Sequence, residues 1–135
     1  MEKPVIYLQK YEIEEIKLLR NVDLSDDERT LNLDLNIGTT ESKKEGRVVL
    51  SSKILDTENR RELFVKLAGY FEINIDKIGD EDPNKFLAIN GTSIIYPYLR
   101  SFVSMLSSLD SKEAIVLPTV NVLELLRESE GKNQK

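Results

Sequence analysis

The chain has 135 residues, of which 40% are hydrophobic and 32% are charged, and its formal net charge is -5. It contains no Cys and no His, which excludes disulfides, thiolate nucleophiles, Cys-ligated zinc and any catalysis that needs an imidazole base. Acidic and basic residues are interleaved without a basic stripe for nucleic acid, and no window is apolar enough for insertion into a membrane.

These values are typical of one globular domain, because a chain of this length can bury a sufficient core without disulfides or metals. We expect a single domain over residues 1–127, followed by a short polar tail over residues 128–135. No cofactor is expected. The N-terminal residues contain no apolar run of the length found in signal peptides, which predicts a cytoplasmic protein.

The first half of the chain predicts four strands. Residues 7–19 mix a period of two with helix-compatible spacing, and we interpret them as an irregular first strand. Residues 31–37 alternate strictly between apolar and polar side chains, which is typical of a strand with one buried face. A hairpin connection then leads to a strand over residues 47–55, and residues 62–75 form the last one, with a bend or bulge expected at Gly69. Strands in this order predict a meander-like antiparallel sheet.

The second half predicts helices that cover this sheet. Asp82 and Pro83 are typical of a helix start, and Gly91 is interpreted as the end of that short helix. A longer helix is expected over residues 94–109, with Pro97 in its first turn and a core stripe that includes Phe102 and Leu109. An extended piece over residues 114–117 precedes a terminal helix over residues 122–127. The predicted fold class is therefore α+β, a four-stranded antiparallel sheet covered by a long helix.

Three short motifs carry a family resemblance. They are Leu-Ala-Gly-Tyr-Phe at residues 67–71, Tyr-Pro-Tyr-Leu-Arg at residues 96–100, and Leu-Pro-Thr-Val-Asn-Val at residues 117–122. Their order and spacing resemble those of the SecB family of bacterial export chaperones, over roughly residues 10–127. A packing role at the start of the long helix also explains Tyr96, Pro97, Tyr98 and Arg100.

The resemblance implies an ATP-independent chaperone, or holdase, that keeps unfolded or precursor polypeptides in apolar grooves for Sec-dependent export. It also implies a homotetramer, a dimer of dimers that pairs through an edge strand and through the long helices. The candidate peptide-binding residues are apolar or aromatic, although ordinary burial explains each of them equally well: Phe64, Tyr70, Phe71, Tyr96, Val120, Val122, Leu125 and Leu126.

The SecB family also docks the basic, zinc-bearing tail of the SecA motor on an acidic site of the sheet. Glu15 matches the acidic position in the first strand of that site. The companion acidic position is not reproduced, because Phe64 and Lys66 occupy that part of the last strand. Docking of SecA therefore stays open.

Other functions remain compatible with the sequence. One is a SecB-like chaperone dedicated to a single client, such as the antitoxin of a toxin–antitoxin pair. Another is a scaffold or adaptor that uses the fold for assembly alone. An enzyme is not expected, because only carboxylates, Lys, Tyr and hydroxyl groups remain as catalytic candidates.

Overall fold

The strands form one four-stranded sheet that is antiparallel throughout. The structure, a computed structural model, describes residues 4–23, 31–119 and 121–133. The strands are β1 (Ile6–Arg20), β2 (Leu31–Thr39), β3 (Glu45–Asp56) and β4 (Arg61–Ile73), in the spatial order β1-β4-β3-β2. The predicted four-stranded antiparallel sheet is confirmed. The predicted meander holds only for β2, β3 and β4, because β1 pairs with β4 at the opposite edge from β2.

Three helices follow the sheet: α1 (Ile75–Ile78), α2 (Pro83–Ser108) and α3 (Val122–Asn133). The carboxylate of Asp82 caps α2 by accepting a hydrogen bond from the Asn84 N–H at 3.0 Å, as the sequence predicts. α3 continues to Asn133, beyond the predicted end at residue 127. In the part of the chain that the structure describes, no helix combines the length and apolar character needed to cross a membrane.

The long helix α2 corrects one prediction. Gly91 does not end a helix, and Pro97 lies inside α2 rather than in a first turn. Gly91 is buried against the sheet, where an added Cβ would lie 2.8 Å from Cγ2 of Val48. The glycine is therefore required by the close approach of helix and sheet, and the helix runs through it.

Gly69 has a similar role. The predicted bulge at this residue is wrong, because the pairing of β3 with β4 is continuous through it. The irregularities of the sheet lie in β1, where the register shifts between Leu8 and Lys10 and between Ile13 and Glu15. A Cβ at Gly69 would overlap the side chain of Ile95 on α2. The missing side chain lets the helix pack directly onto the centre of the sheet.

The sheet has one covered face and one open face. The odd-numbered residues of β4 from Leu63 to Ile73 are buried beneath α2, together with alternate residues of β3 such as Val48 and Leu50. The opposite face, here called the outer face, carries most of the charged residues of the strands, such as Lys53, Glu62 and Lys66, whereas Arg61 points to the covered face. α2 lies mainly over β3 and β4 and reaches β1 only along part of its length.

Candidate functional site

An apolar groove opens where the start of β2 and the end of β3 meet the segment that joins α2 to α3, residues 109–121, here called the crossover. The groove encloses about 380 Å³. Asp56 is its one charged lining residue, and the others are apolar: Leu31, Ile54, Leu55, Ile115, Val116, Leu117 and Pro118. A concave apolar surface with few polar groups is suited to apolar side chains of variable geometry.

Hydrogen bonds fix the crossover at both ends of the groove. The backbone N–H of Ile115 donates to Oγ of Ser107 at 2.7 Å, and its carbonyl accepts from Oγ of Ser104 at 3.0 Å. At the other end the hydroxyl of Tyr96 donates to the carbonyl of Pro118. The groove therefore has a wall that is positioned by α2.

A buried arginine connects the crossover to the sheet. Arg61 is 1% exposed, and its guanidinium forms ion pairs with Asp56 at 2.8 Å and Asp110 at 2.9 Å. It also donates to the backbone carbonyl of Ser107 at 2.8 Å. Because the buried charge is balanced by carboxylates and satisfied by hydrogen bonds, it holds the end of α2 against the turn between β3 and β4.

Both carboxylates of this network have lowered pKa values. Partial burial opposes ionisation of Asp56, but hydrogen bonds from Asn59 and Arg61 outweigh it and hold its pKa below the ordinary Asp value. The pKa of Asp110 is lowered chiefly by its hydrogen bond from Arg20, whose Nε lies 2.6 Å from Oδ2. Asp56 is therefore a fixed anion at the edge of the groove at neutral pH.

The terminal helix α3 packs against α2 and β2. Leu125 is only 4% exposed and belongs to the main core, whereas Val122 and Leu126 are half-buried. Asn121 caps α3 by accepting hydrogen bonds from the N–H groups of Leu123 and Glu124 at 3.0 and 3.3 Å. α3 therefore contributes one deeply inserted side chain and an otherwise exposed first turn.

The predicted peptide-binding residues divide between two faces of the protein. Tyr96, Val122, Leu125 and Leu126 lie on helices and do not line the groove, although Tyr96 bonds to its lining residue Pro118. Val120 lies outside the described residues. Phe71 is also on the helix side but has no exposed surface. Phe64 and Tyr70 are half-buried on the outer face, so the structure does not bring them to the same groove.

On the outer face, Tyr70 is held between two cations. Nζ of Lys10 lies 4.9 Å and Cζ of Arg47 lies 5.8 Å from the centre of its ring. Arg47 forms an ion pair with Glu14, and Lys66 reaches the same carboxylate at 3.7 Å. The outer face around Tyr70 therefore carries cations as well as carboxylates.

Glu15, the candidate for motor docking, stands opposite Lys66 in the register of β1 and β4. Cations therefore lie among the carboxylates of this part of the outer face, which differs from the acidic site that the resemblance implies. Docking of SecA at Glu15 stays a prediction.

Sequence reasoning missed a second apolar surface, on the side of α2 that faces β1. Tyr11 packs on Tyr98 with ring centres 4.6 Å apart, and on Phe102 at 6.1 Å. Leu109, assigned from the sequence to the core stripe, is 73% exposed. We call this the association surface, and its members on β1, on α2 and at the residue that follows α2 are Tyr11, Ile13, Ile16, Leu18, Tyr98, Phe102, Met105 and Leu109.

Two signals in the sequence point to this surface: the alternation of Tyr11 and Ile13, and the helical spacing of Tyr98, Phe102, Met105 and Leu109. Neither signal reveals that α2 leaves β1 partly uncovered. An exposed cluster of this many large apolar side chains is typical of an interface.

Comparison with known proteins shows similarity in structure but not in sequence. No family model and no curated protein sequence matches the chain. One similar structure is the SecB-like chaperone Rv1957 of Mycobacterium tuberculosis in complex with a ChAD peptide from the antitoxin HigA1 (Rv1956). The two structures match with a TM-score of 0.67 and 14% sequence identity, over 86% of this chain and 90% of that one. Another is a protein of unknown function from Streptococcus agalactiae, with a TM-score of 0.53 and 8% identity, covering 84% of this chain and 97% of that one. These likenesses establish the fold, which is SecB-like.

Proposed function

We propose that this protein is an ATP-independent chaperone that binds unfolded or precursor polypeptides, without enzymatic activity of its own. The observation that carries the proposal is the apolar groove beside the crossover, whose wall is fixed by Tyr96 and by the bonds of Ile115. Non-native chains expose apolar side chains without a fixed geometry, so an apolar groove with few polar groups suits them. The SecB-like fold supports the same activity.

None of the predicted peptide-binding residues on the helix side lines the groove, and those on α3 are proposed to contact a client that extends beyond it. Val122 and Leu126 are half-buried and accessible to a client, whereas Tyr96 serves it by positioning Pro118. Leu125 is part of the core, and Phe71 is buried opposite Gly46, eight residues along β3 from the groove residue Ile54, so neither is proposed to touch a client in the groove. Phe64 and Tyr70 would have to contact a client separately, on the outer face. Tyr70 is the weaker candidate of the two, because Lys10 and Arg47 already contact its ring.

A chaperone with one dedicated client is the more specific form of this proposal. The mixed charges around Glu14 and Glu15 disfavour docking of a basic motor tail, because Arg47 and Lys66 lie where such a tail would bind. Rv1957 is found with an antitoxin peptide, and we propose a comparable client for this chain. The alternative is a chaperone for general protein export in partnership with SecA. The cytoplasmic location of this protein stays a prediction.

Assembly into a homotetramer is part of the same proposal. The association surface places half-exposed apolar side chains of β1 beside those of α2, next to the unpaired edge of β1. A second copy would bury these side chains and supply hydrogen bonds to the strand edge. A scaffold without chaperone activity would use the same surface and would capture one folded partner only.

The test is suppression of aggregation. A denatured client enzyme is diluted from urea, and light scattering is followed with and without substoichiometric chaperone. We expect delayed aggregation, and a several-fold weaker effect for Val116→Asp, which places a charge in the groove. Leu123→Asp is the matched control, because Leu123 is similarly exposed on α3 and does not line the groove. Absence of any delay, or equal effects of the two variants, would refute the proposal.

A further inference from the structure

Phe64 lies on the outer face between two lysines. In the register of the sheet it stands opposite Lys17 of β1 and Lys53 of β3. Its side chain is half-buried, and Leu19, on the same face of β1, is 44% exposed. Phe64 does not line the groove, and both apolar residues lie on the opposite face of the sheet from the association surface. The outer face therefore has an apolar spot with a cation on each side.

Tyr70 stands in the same arrangement further along β4, but its ring is already covered. It lies opposite Lys10 and Arg47, and both of these cations contact the ring. In the part of the chain that the structure describes, no cation lies over the ring of Phe64. Phe64 is therefore open to an apolar or aromatic side chain from another molecule.

The ion pairs near Phe64 leave their cations more exposed than their anions. Lys53 pairs with Glu62 at 3.2 Å, and the lysine side chain is 50% exposed whereas that of the glutamate is 18% exposed. Lys66 pairs with Glu14 at 3.7 Å, with 40% of the lysine side chain and 23% of the glutamate side chain exposed. A molecule that approaches this surface therefore meets the lysines before the carboxylates.

Lys17 adds a further positive charge. It is exposed and forms no ion pair with a described residue. Glu15, also exposed, lies on the same face of β1 but stands opposite Lys66. Three exposed cations therefore surround Phe64, and Glu15 alone does not balance them.

We propose that the outer face at Phe64 docks an acidic segment of a partner protein in which an aromatic or large apolar residue stands between two carboxylates. The apolar residue packs on Phe64 and Leu19, and the carboxylates pair with Lys17 and Lys53. Strands β1 and β3 are two strand spacings apart, about 10 Å, and alternate residues of an extended segment are about 7 Å apart. Lysine stems are long and flexible, so both cations reach such a pair of carboxylates.

The chemistry of this site is the reverse of a site for a basic tail. The family resemblance implies an acidic docking site on this face, but Phe64 and Lys66 occupy the companion acidic position. A partner of opposite charge therefore fits better. The site is separate from the groove, and the proposal does not depend on chaperone activity.

Single-stranded nucleic acid is the competing ligand, because an aromatic ring between cations also suits stacked bases. Glu14 and Glu15 lie beside the lysines and would repel a continuous row of phosphates. A protein segment with spaced carboxylates avoids this repulsion and is favoured.

The first experiment varies the ligand and leaves the protein intact. A fluorescein-labelled peptide of Gly and Ser with a central Asp-Phe-Asp is titrated with the protein, and fluorescence anisotropy is measured at low salt. We expect binding about tenfold tighter than for the same peptide with Lys-Phe-Lys or Asp-Ala-Asp, and weaker binding as salt is added. Absent binding, or equal binding of the three peptides, would overturn the proposal. Tighter binding of a single-stranded oligonucleotide would overturn it in favour of nucleic acid.

The second experiment locates the site. Lys17→Gln combined with Lys53→Gln removes both flanking cations. Lys85→Gln combined with Lys112→Gln is the matched control, because it makes the same change of net charge at exposed residues of α2 and the crossover. We expect the first double variant to bind the acidic peptide about tenfold more weakly than the second. Equal binding by the two would show that the peptide does not dock at Phe64.

Discussion

The hydroxyl of Tyr96 donates a hydrogen bond to the backbone carbonyl of Pro118, and this contact joins two of the three motifs that carry the family resemblance. The third motif supplies Gly69, which receives the side chain of Ile95. The three motifs therefore form one packed unit in which sheet, long helix and crossover meet. Their spacing in the sequence reflects this packing more than direct contact with a ligand.

Tyr96→Phe is expected to lower the free energy of unfolding by about 1 kcal/mol, because the Pro118 carbonyl loses its hydroxyl partner. Urea unfolding measures this change. Tyr98→Phe is the matched control, since it removes the same hydroxyl from an exposed ring on the same helix. Equal stability of the two variants would show that the bond to Pro118 contributes nothing.

Acid should destabilise the protein through the carboxylates that surround Arg61. The pKa values of Asp56 and Asp110 are lower in the folded state than in the unfolded chain. Their contribution to stability is therefore fully present above the ordinary Asp value near pH 4, and it is lost as the pH falls through that value towards the folded pKa values. Thermal unfolding between pH 7 and pH 3 measures the decline.

Asp110→Asn should flatten this acid dependence and lower the melting temperature at pH 7, because Arg20 and Arg61 both lose an anionic partner. Asp23→Asn makes the same change of charge at a fully exposed pair with Arg60 and serves as the control. A profile that is identical in both variants would contradict the role assigned to Asp110.

The alternation of apolar residues predicts β2, β3 and β4 well. The predicted strand over residues 31–37 corresponds to β2 (Leu31–Thr39), and that over residues 47–55 corresponds to β3 (Glu45–Asp56). A period of two reports which face of a strand is buried, and this is a local property. The strand with which β1 pairs is not determined by local sequence, because either edge of the meander could accept a further strand.

Glycines show the limit of local reasoning more clearly. From the sequence, Gly91 and Gly69 indicate a helix end and a bulge, and both interpretations are wrong for the same physical reason. Each glycine is present because another element approaches it closely, and that element is distant in sequence. The sequence predicts that an apolar groove exists but not which residues line it. Residues such as Ile54 and Val116 are distant in sequence and are brought together by the tertiary fold.

Gly69→Ala is expected to destabilise the protein by about 1–3 kcal/mol, because the new Cβ would overlap Ile95 and push α2 from the sheet. Gly38→Ala is the control: it also lies in a strand, but an added Cβ there meets no atom within 4 Å. The free energies of unfolding of the two variants give the comparison. A small loss of stability in Gly69→Ala would mean that α2 can shift on the sheet at little energetic cost.

Met105→Lys is expected to reduce the mass of the assembly in solution, because it places a charge within the association surface. Sedimentation equilibrium at micromolar concentration measures the mass. Ser93→Lys adds the same charge to an exposed position on another face of α2 and should leave the mass unchanged. A wild-type protein that is strictly monomeric would contradict the proposed tetramer.

The fit of α2 on the sheet also limits how the protein can transmit motion. Leu87 sits at Gly46, Ile95 sits at Gly69, and Val48 sits at Gly91, so side chains from both layers interlock along the helix axis. Sliding α2 lengthwise would drive these side chains onto backbone that has no room for them. The helix and the sheet should therefore move as one rigid layer pair.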